Sequence, residues 1–208
     1  MNHDTPTVYV VDDDASVRNS LRELLASVSL PVETYASSRE FLDSFHPERP
    51  GCLVLDVRLK EGSGLDLQDE LVKRHVPLPI IVLTGHGDVP SSVRALKAGA
   101  FDFLQKPPPP DVLLERIRAA IENDRQRRAA AASREDALHQ LESLTPRERD
   151  VMSLLVSGST SKEVASDLGI SVRTVEGHRR RVLSKLNVTS AAQLVRVVMN
   201  TRGTEVES

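Results

Sequence analysis

Tryptophan is absent, and aromatic residues make up only 3% of the 208-residue chain. That scarcity argues against a protein that stacks RNA or single-stranded DNA bases on aromatic rings. Cys52 is the single cysteine. No disulfide can close within the chain, and no thiolate zinc cluster can form. A reducing compartment is the expectation, and with it a cytoplasmic protein. No apolar run approaches the roughly 18 residues that a membrane helix needs, so no membrane partner is expected. The N-terminal stretch MNHDTPTVYVVDDD puts acids where a secretory signal requires a basic start. What is present is an ordinary globular balance, with 39% hydrophobic and 27% charged residues.

The net charge of −3 conceals an uneven distribution. Residues 1–124 carry 13 basic and 20 acidic side chains, whereas residues 144–208 carry 10 basic and 7 acidic ones. An acidic front and a basic back suggest two domains with different partners.

The front half alternates short β-rich runs with segments of helical periodicity. Strands are predicted at 7–11, 32–35, 52–55, 79–83 and 100–104. Helices are predicted at 16–27, 38–45, 65–74, 89–98 and 111–123. Continuous apolar strands between helices imply a parallel sheet covered on both faces. The expected fold is a doubly wound, five-stranded α/β domain over residues 1–123. Pro107–Pro110 is expected as a non-helical loop before the last helix. Residues 124–142, rich in Arg and Ala, are expected to form a helical linker that continues the fifth helix. Residues 143–208 contain no strand-like run and read as an all-α domain of four helices. Thr145-Pro146-Arg147-Glu148 is a helix start. The turn Leu168-Gly169-Ile170-Ser171 between two short helices fits a helix-turn-helix.

Ligands of a parallel sheet bind beyond the carboxyl ends of its strands. Asp12, Asp13 and Asp14 follow the first strand, Asp56 the third, Thr84 the fourth and Lys106 the fifth. Clustered carboxylates suit a hard, oxygen-liganded cation such as Mg²⁺. A carboxylate can also act as nucleophile toward phosphorus. Phosphoryl transfer needs charge neutralisation and positioning, which a cation, a lysine and a hydroxyl supply. On the residues alone, a cation-binding α/β fold without a covalent step remains an alternative.

VVDDD, LVLD, TGHGDVP (84–90) and KAGAFDFLQKP (97–107) resemble the receiver domain of two-component response regulators of the FixJ type, a flavodoxin-like fold. The resemblance implies that Asp56 accepts phosphate from a sensor histidine kinase. It implies Mg²⁺ on Asp12, Asp13 and Asp56, with the backbone carbonyl of Arg58 as a further ligand. Thr84 and Phe103 match the switch hydroxyl and switch aromatic, and Lys106 matches the phosphate-pairing lysine. It further implies homodimerisation on phosphorylation, through a face around the fourth helix, fifth strand and fifth helix. Lys60 stands where the family usually has Pro, and Pro108 where it usually has Phe. No ligand is lost by either change.

In the back half, Arg173, Arg179, Arg180, Arg181 and Lys185 crowd one predicted helix, 172–186. Val172, Val175, Val182 and Leu186 fall at spacings suited to a core, which leaves basic and polar side chains for a major groove. Residues 143–202 resemble the LuxR-type helix-turn-helix. The resemblance points to Lys162, Arg173, Thr174, Val175, His178, Arg179 and Lys185 as DNA contacts, and gives Glu148 and Gly158 a role in holding the fold. The implied protein is a phosphorylation-dependent transcriptional regulator of the FixJ/NarL type. Its partners would be a histidine kinase, double-stranded promoter DNA and RNA polymerase. It would not be a conventional enzyme, its only chemistry being Mg²⁺-dependent self-phosphorylation and slow self-dephosphorylation. A haloacid-dehalogenase-like phosphatase fits less well, because the candidate nucleophile follows the third strand and no cap-sized insertion exists. A pure adaptor is separable by a DNA-binding assay.

Overall fold

The computed structural model describes residues 5–85 and 94–202. The chain divides into two compact units, Met1–Arg128 and Ala129–Ser208.

The first unit is built on a five-stranded parallel sheet in the order β2-β1-β3-β6-β7. Its strands are β1 (Thr7–Val11), β2 (Val32–Tyr35), β3 (Gly51–Asp56), β6 (Ile80–Thr84) and β7 (Asp102–Gln105). A small hairpin of β4 (Arg58–Leu59) and β5 (Gly62–Ser63), not foreseen from the sequence, follows β3. Alternate strand residues feed opposite faces, because successive side chains point to opposite sides of a strand. Val8, Val10, Cys52, Val54, Ile81 and Leu83 pack with Leu21 and Leu25 of α1 (Ala15–Ser27) and Leu113 and Ile117 of α5 (Pro110–Glu142). On the other face Tyr9, Val11, Leu53, Leu55 and Val82 meet three helices. Phe41 comes from α2 (Ser38–Ser44), Leu67 and Leu71 from α3 (Gly64–Lys73), and Ala95 from the helical residues 94–97, here called α4. Cys52 is fully buried, and burial pushes its thiol up to about 12, so it is inert core.

Several boundaries differ from the sequence reading. Pro110 is helical, so only three of the four prolines form the loop; a proline fits the first turn, where its missing N–H has no partner in any case. The fifth sheet strand starts at Asp102, because the amides of Gly99 and Ala100 close α4 onto the carbonyls of Leu96 and Ala95. Residues 86–93, which hold most of TGHGDVP and the start of the predicted fourth helix, lie outside the described residues. The expected linker, 124–142, is helical and continues α5 without a break to Glu142. Asp124 is buried and takes the Gly51 amide at 3.0 Å and Arg128 Nε at 2.8 Å.

The second unit holds α6 (Pro146–Val156), α7 (Ser161–Leu168), α8 (Val172–Lys185) and α9 (Ala191–Arg202). Two capping boxes, Thr145 with Glu148 and Thr160 with Glu163, fix the starts of α6 and α7. Gly169, at φ +64°, turns the chain from α7 into α8. Leu144, Val151, Val164, Val175, Val182, Leu194 and Val198 form its core.

Candidate phosphoacceptor site and nucleic-acid interface

Strand register assembles the acidic site. Val11 pairs with Leu55 and Asp56 with Leu83, so Asp12 emerges beside Asp56, at the point where the strand order reverses. Thr84 pairs with Gln105, which brings Lys106 to the same edge, and the Lys106 amide donates to the Thr84 carbonyl at 2.7 Å. Asp12 is only 1% exposed. Lys106 Nζ lies 2.6 Å from Asp12 Oδ2 and 2.7 Å from Asp56 Oδ2. Carboxylate oxygens of Asp12, Asp13 and Asp56 all lie within 4.8 Å of one another. That spacing fits a small cation that takes oxygen ligands from two or three carboxylates and keeps several waters.

The electrostatics follow from this crowding. Burial raises the Asp56 carboxyl above the usual aspartate range, against the opposing pull of Lys106 and of the Arg58 amide, which donates to Asp56 Oδ1 at 3.2 Å. Burial works against the Lys106 ammonium as well, but the carboxylates of Asp12 and Asp56 outweigh it and hold its pKa above the ordinary lysine value. Asp14 is set apart from its neighbours: it caps α1, accepting from the amide and hydroxyl of Ser16 at 2.8 and 2.7 Å. Thr84 is buried, with its hydroxyl 3.4 Å from the Gly85 carbonyl. Phe103 is 38% exposed on β7 and belongs to neither core cluster.

One contributor, Gly64, escaped the sequence reading, and so did the partner of Lys60. Gly64 opens α3 where a Cβ would stand 1.9 Å from the Asp56 carbonyl oxygen, so only glycine lets α3 approach the end of β3. The GSG run at 62–64 was the available signal. Lys60 reaches Asp13, Nζ to Oδ2 3.4 Å.

In the second unit, Lys162, Arg173, Thr174, Arg180 and Arg181 are exposed, and His178 and Arg179 are half-buried. Arg179 lies 3.8 Å from Glu176, which also receives the Ser161 hydroxyl. One assignment implied by the resemblance needs correction, and a second meets a competing contact. Val175 is fully buried in the core, because it faces the same side of α8 as Val182; the exposed valine is Val172, at 42%. Lys185 is tied down at the far end of α8, its Nζ 2.7 Å from Glu148 and 2.9 Å from the Ser143 carbonyl. With the Thr145 amide, Lys185 pulls the buried Glu148 carboxyl down to about 2. His178 Nδ1 is buried and has no hydrogen-bond partner among the described residues.

Comparison with known proteins agrees with this division. Residues 8–118 match the response regulator receiver domain family, and residues 142–198 match the luxR family of bacterial regulatory proteins. Nodulation protein W of Bradyrhizobium diazoefficiens is 46% identical over 91% of this chain and 84% of its own length. Transcriptional regulatory protein TdiR of Thauera aromatica is 46% identical over 93% of this chain and 85% of its own. Among solved structures, the response regulator StyR aligns with a TM-score of 0.84 at 44% identity, over 93% of this chain and 98% of that one. Full-length FixJ from B. japonicum aligns at 0.59 and 37% identity, over 97% and 100%. With an acidic pocket at the first unit's switch point and a basic helix-turn-helix later in the sequence, this chain belongs to the response regulators, as a transcriptional regulator that joins a receiver domain to a LuxR-family domain.

Proposed function

We propose that Asp56 is the phosphoacceptor and that its phosphorylation by a sensor histidine kinase controls DNA binding by the second unit. One observation carries this reading: three carboxylates at the switch point share 4.8 Å, and a lysine bridges two of them. Asp12, Asp13 and Asp56, with the Arg58 backbone carbonyl, would hold Mg²⁺. The bound ion supplies charge neutralisation between the carboxylates and the incoming phosphoryl group. An Asp56 carboxylate oxygen attacks phosphorus, the bond from phosphorus to the donor nitrogen breaks, and the phosphoryl group ends on Asp56. Lys106 then exchanges its carboxylate partner for a phosphoryl oxygen, and the Thr84 hydroxyl donates to another. Phe103 follows Thr84, and a homodimer forms around α4, β7 and α5. The family is regulatory rather than catalytic, so the only turnover is self-phosphorylation from a donor and slow self-dephosphorylation.

Lys162, Arg173, Thr174, His178 and Arg179 would meet promoter DNA, the first mainly at phosphates and the groove-facing members of α8 at base edges. Two such units in a dimer match a two-half-site operator, and coupling them raises apparent affinity by about 10²–10⁴ without a new contact. RNA polymerase is the expected downstream partner and the cytoplasm the expected compartment; no helix among the described residues is long and apolar enough to cross a membrane. Genome-wide footprinting with and without an acyl-phosphate donor tests the whole reading. Footprints at two-half-site sequences that strengthen with the donor are expected. Identical footprints in wild type and Asp56→Asn under both conditions overturn it.

A further inference from the structure

The acidic pocket carries a second ammonium besides that of Lys106. Lys60 sits on the turn between β4 and β5, with Nζ 3.4 Å from Asp13 Oδ2. Among the described residues, the two lysines that reach these carboxylates are held very differently. Lys106 is 23% exposed and is gripped by two carboxylates at 2.6 and 2.7 Å. The Lys60 side chain is 77% exposed, whereas that of Asp13 is 21% exposed. The lysine can therefore return to water on its flexible stem, and the carboxylate cannot leave the pocket.

Among the described residues, the carboxylates of Asp12, Asp13 and Asp56 and the ammonium of Lys106 sum to two negative charges, and Lys60 lowers the sum of these groups to one. A divalent cation drawn to Asp13 meets an ammonium already paired with that carboxylate. Both cannot occupy the same oxygen, and each repels the other at this separation. We propose that Lys60 is a tethered counter-ion of the pocket, one that competes with the divalent cation for Asp13 and swings into solvent when the cation binds. Lys60 would thus set the Mg²⁺ concentration at which Asp56 becomes competent. This inference rests on the reading of the pocket as a cation and phosphoryl site.

Exposed ion pairs of this kind change an equilibrium constant by about 1.5- to 5-fold. The test is calorimetric titration of Mg²⁺ into the full chain at low ionic strength. Lys60→Met should tighten Mg²⁺ binding by about 2- to 5-fold, and Lys60→Arg should restore the wild-type value. Lys73→Met makes the same change in net charge on the exposed end of α3 and should leave the value unchanged. The advantage of Lys60→Met should shrink as salt is raised, because salt screens exposed pairs. Asp56 labelling by an acyl phosphate should become half-maximal at correspondingly lower Mg²⁺. Equal Mg²⁺ affinity in wild type and Lys60→Met, or an equal gain in Lys73→Met, overturns the proposal. If wild type shows no saturable binding, or Asp13→Asn binds as tightly, the cation reading of the pocket falls and the role of Lys60 falls with it.

Discussion

Replacing Lys185 with Met separates two roles that the sequence could not tell apart. A lysine near the end of a recognition helix reads as a phosphate contact. In the fold its ammonium is 2.7 Å from a carboxylate that is only 3% exposed. Glu148 titrates near 2 rather than its usual 4.5, first because Lys185 donates to it and then because the Thr145 amide does. A pKa gap of that size corresponds to about 3 kcal/mol shared among its partners. The Lys185 side chain is itself 36% exposed, so solvent screens part of its share. Removing it should cost about 1–2 kcal/mol at pH 7. For a unit of this size that is a fall of roughly 5–15 °C in melting temperature. The pH dependence has a definite sign. A carboxyl whose folded pKa is depressed stabilises the fold above its unfolded pKa and loses that contribution as pH falls toward the folded value. The gap between wild type and Lys185→Met should therefore be full above pH 5 and close as pH falls through about 4.5 toward 2. Calorimetry of the full chain at several pH values, with hydrogen exchange of α6 and α8 amides to assign the transition, measures it. DNA titrations at several salt concentrations supply the opposing arm: a phosphate contact would reduce the salt slope by about one unit. A Lys185→Met protein that melts like wild type at pH 7, yet loses one unit of salt slope, would refute the structural role.

Incubation with Mg²⁺ and a small acyl phosphate should add one phosphoryl group to wild type and none to Asp56→Asn, and a chelator should abolish it; intact-mass analysis reads both. Gly64→Ala should force the Asp56 carbonyl and the end of β3 to move, since the added Cβ would lie 1.9 Å from that oxygen. The same labelling assay should then fall by about 10²-fold, the scale of a misplacement near 1 Å; wild-type labelling would count against the geometry. Val175→Ala should cost the second unit about 2 kcal/mol of stability, by opening a cavity in the core, without changing base preference. Arg179→Ala should do the reverse, costing roughly 1–3 kcal/mol of specific DNA binding with relaxed preference at one base position. Unfolding curves and competition titrations on altered sites separate the two.

Much of this protein was legible in one dimension because its signals are local. Short β-rich runs followed by Asp12, Asp56, Thr84 and, one residue further on, Lys106 named both the strands and the edge where chemistry collects. Thr145-Pro146-Arg147-Glu148 announced α6, because a capping box uses groups three residues apart. Gly169 and Ser171 marked the helix-turn-helix for the same reason. Periodicity also separated Val182 and Leu186 from Arg179, Arg180 and Arg181 just before them. It misplaced Val172, which lies outside the core one turn ahead of Val175; the buried Val175 was rightly placed by its spacing and set against DNA only by the family resemblance.

What remained hidden depends on partners distant in sequence. Lys60 and Asp13 are 47 positions apart, and Glu148 and Lys185 are 37 apart. Nothing in the residues themselves says that a lysine is held by a buried carboxylate rather than free for DNA, because charge type is local and pairing is not. Gly64 looked like loop punctuation until α3 was seen to abut the end of β3. Strand order decided the rest: only the reversal between β1 and β3 puts Asp12 beside Asp56 and makes separate acids one pocket. The sequence alone determined which residue types stand at the strand ends and helix starts. The tertiary structure decided which of them share a low-dielectric space, where opposite charges bind each other and like charges require a cation.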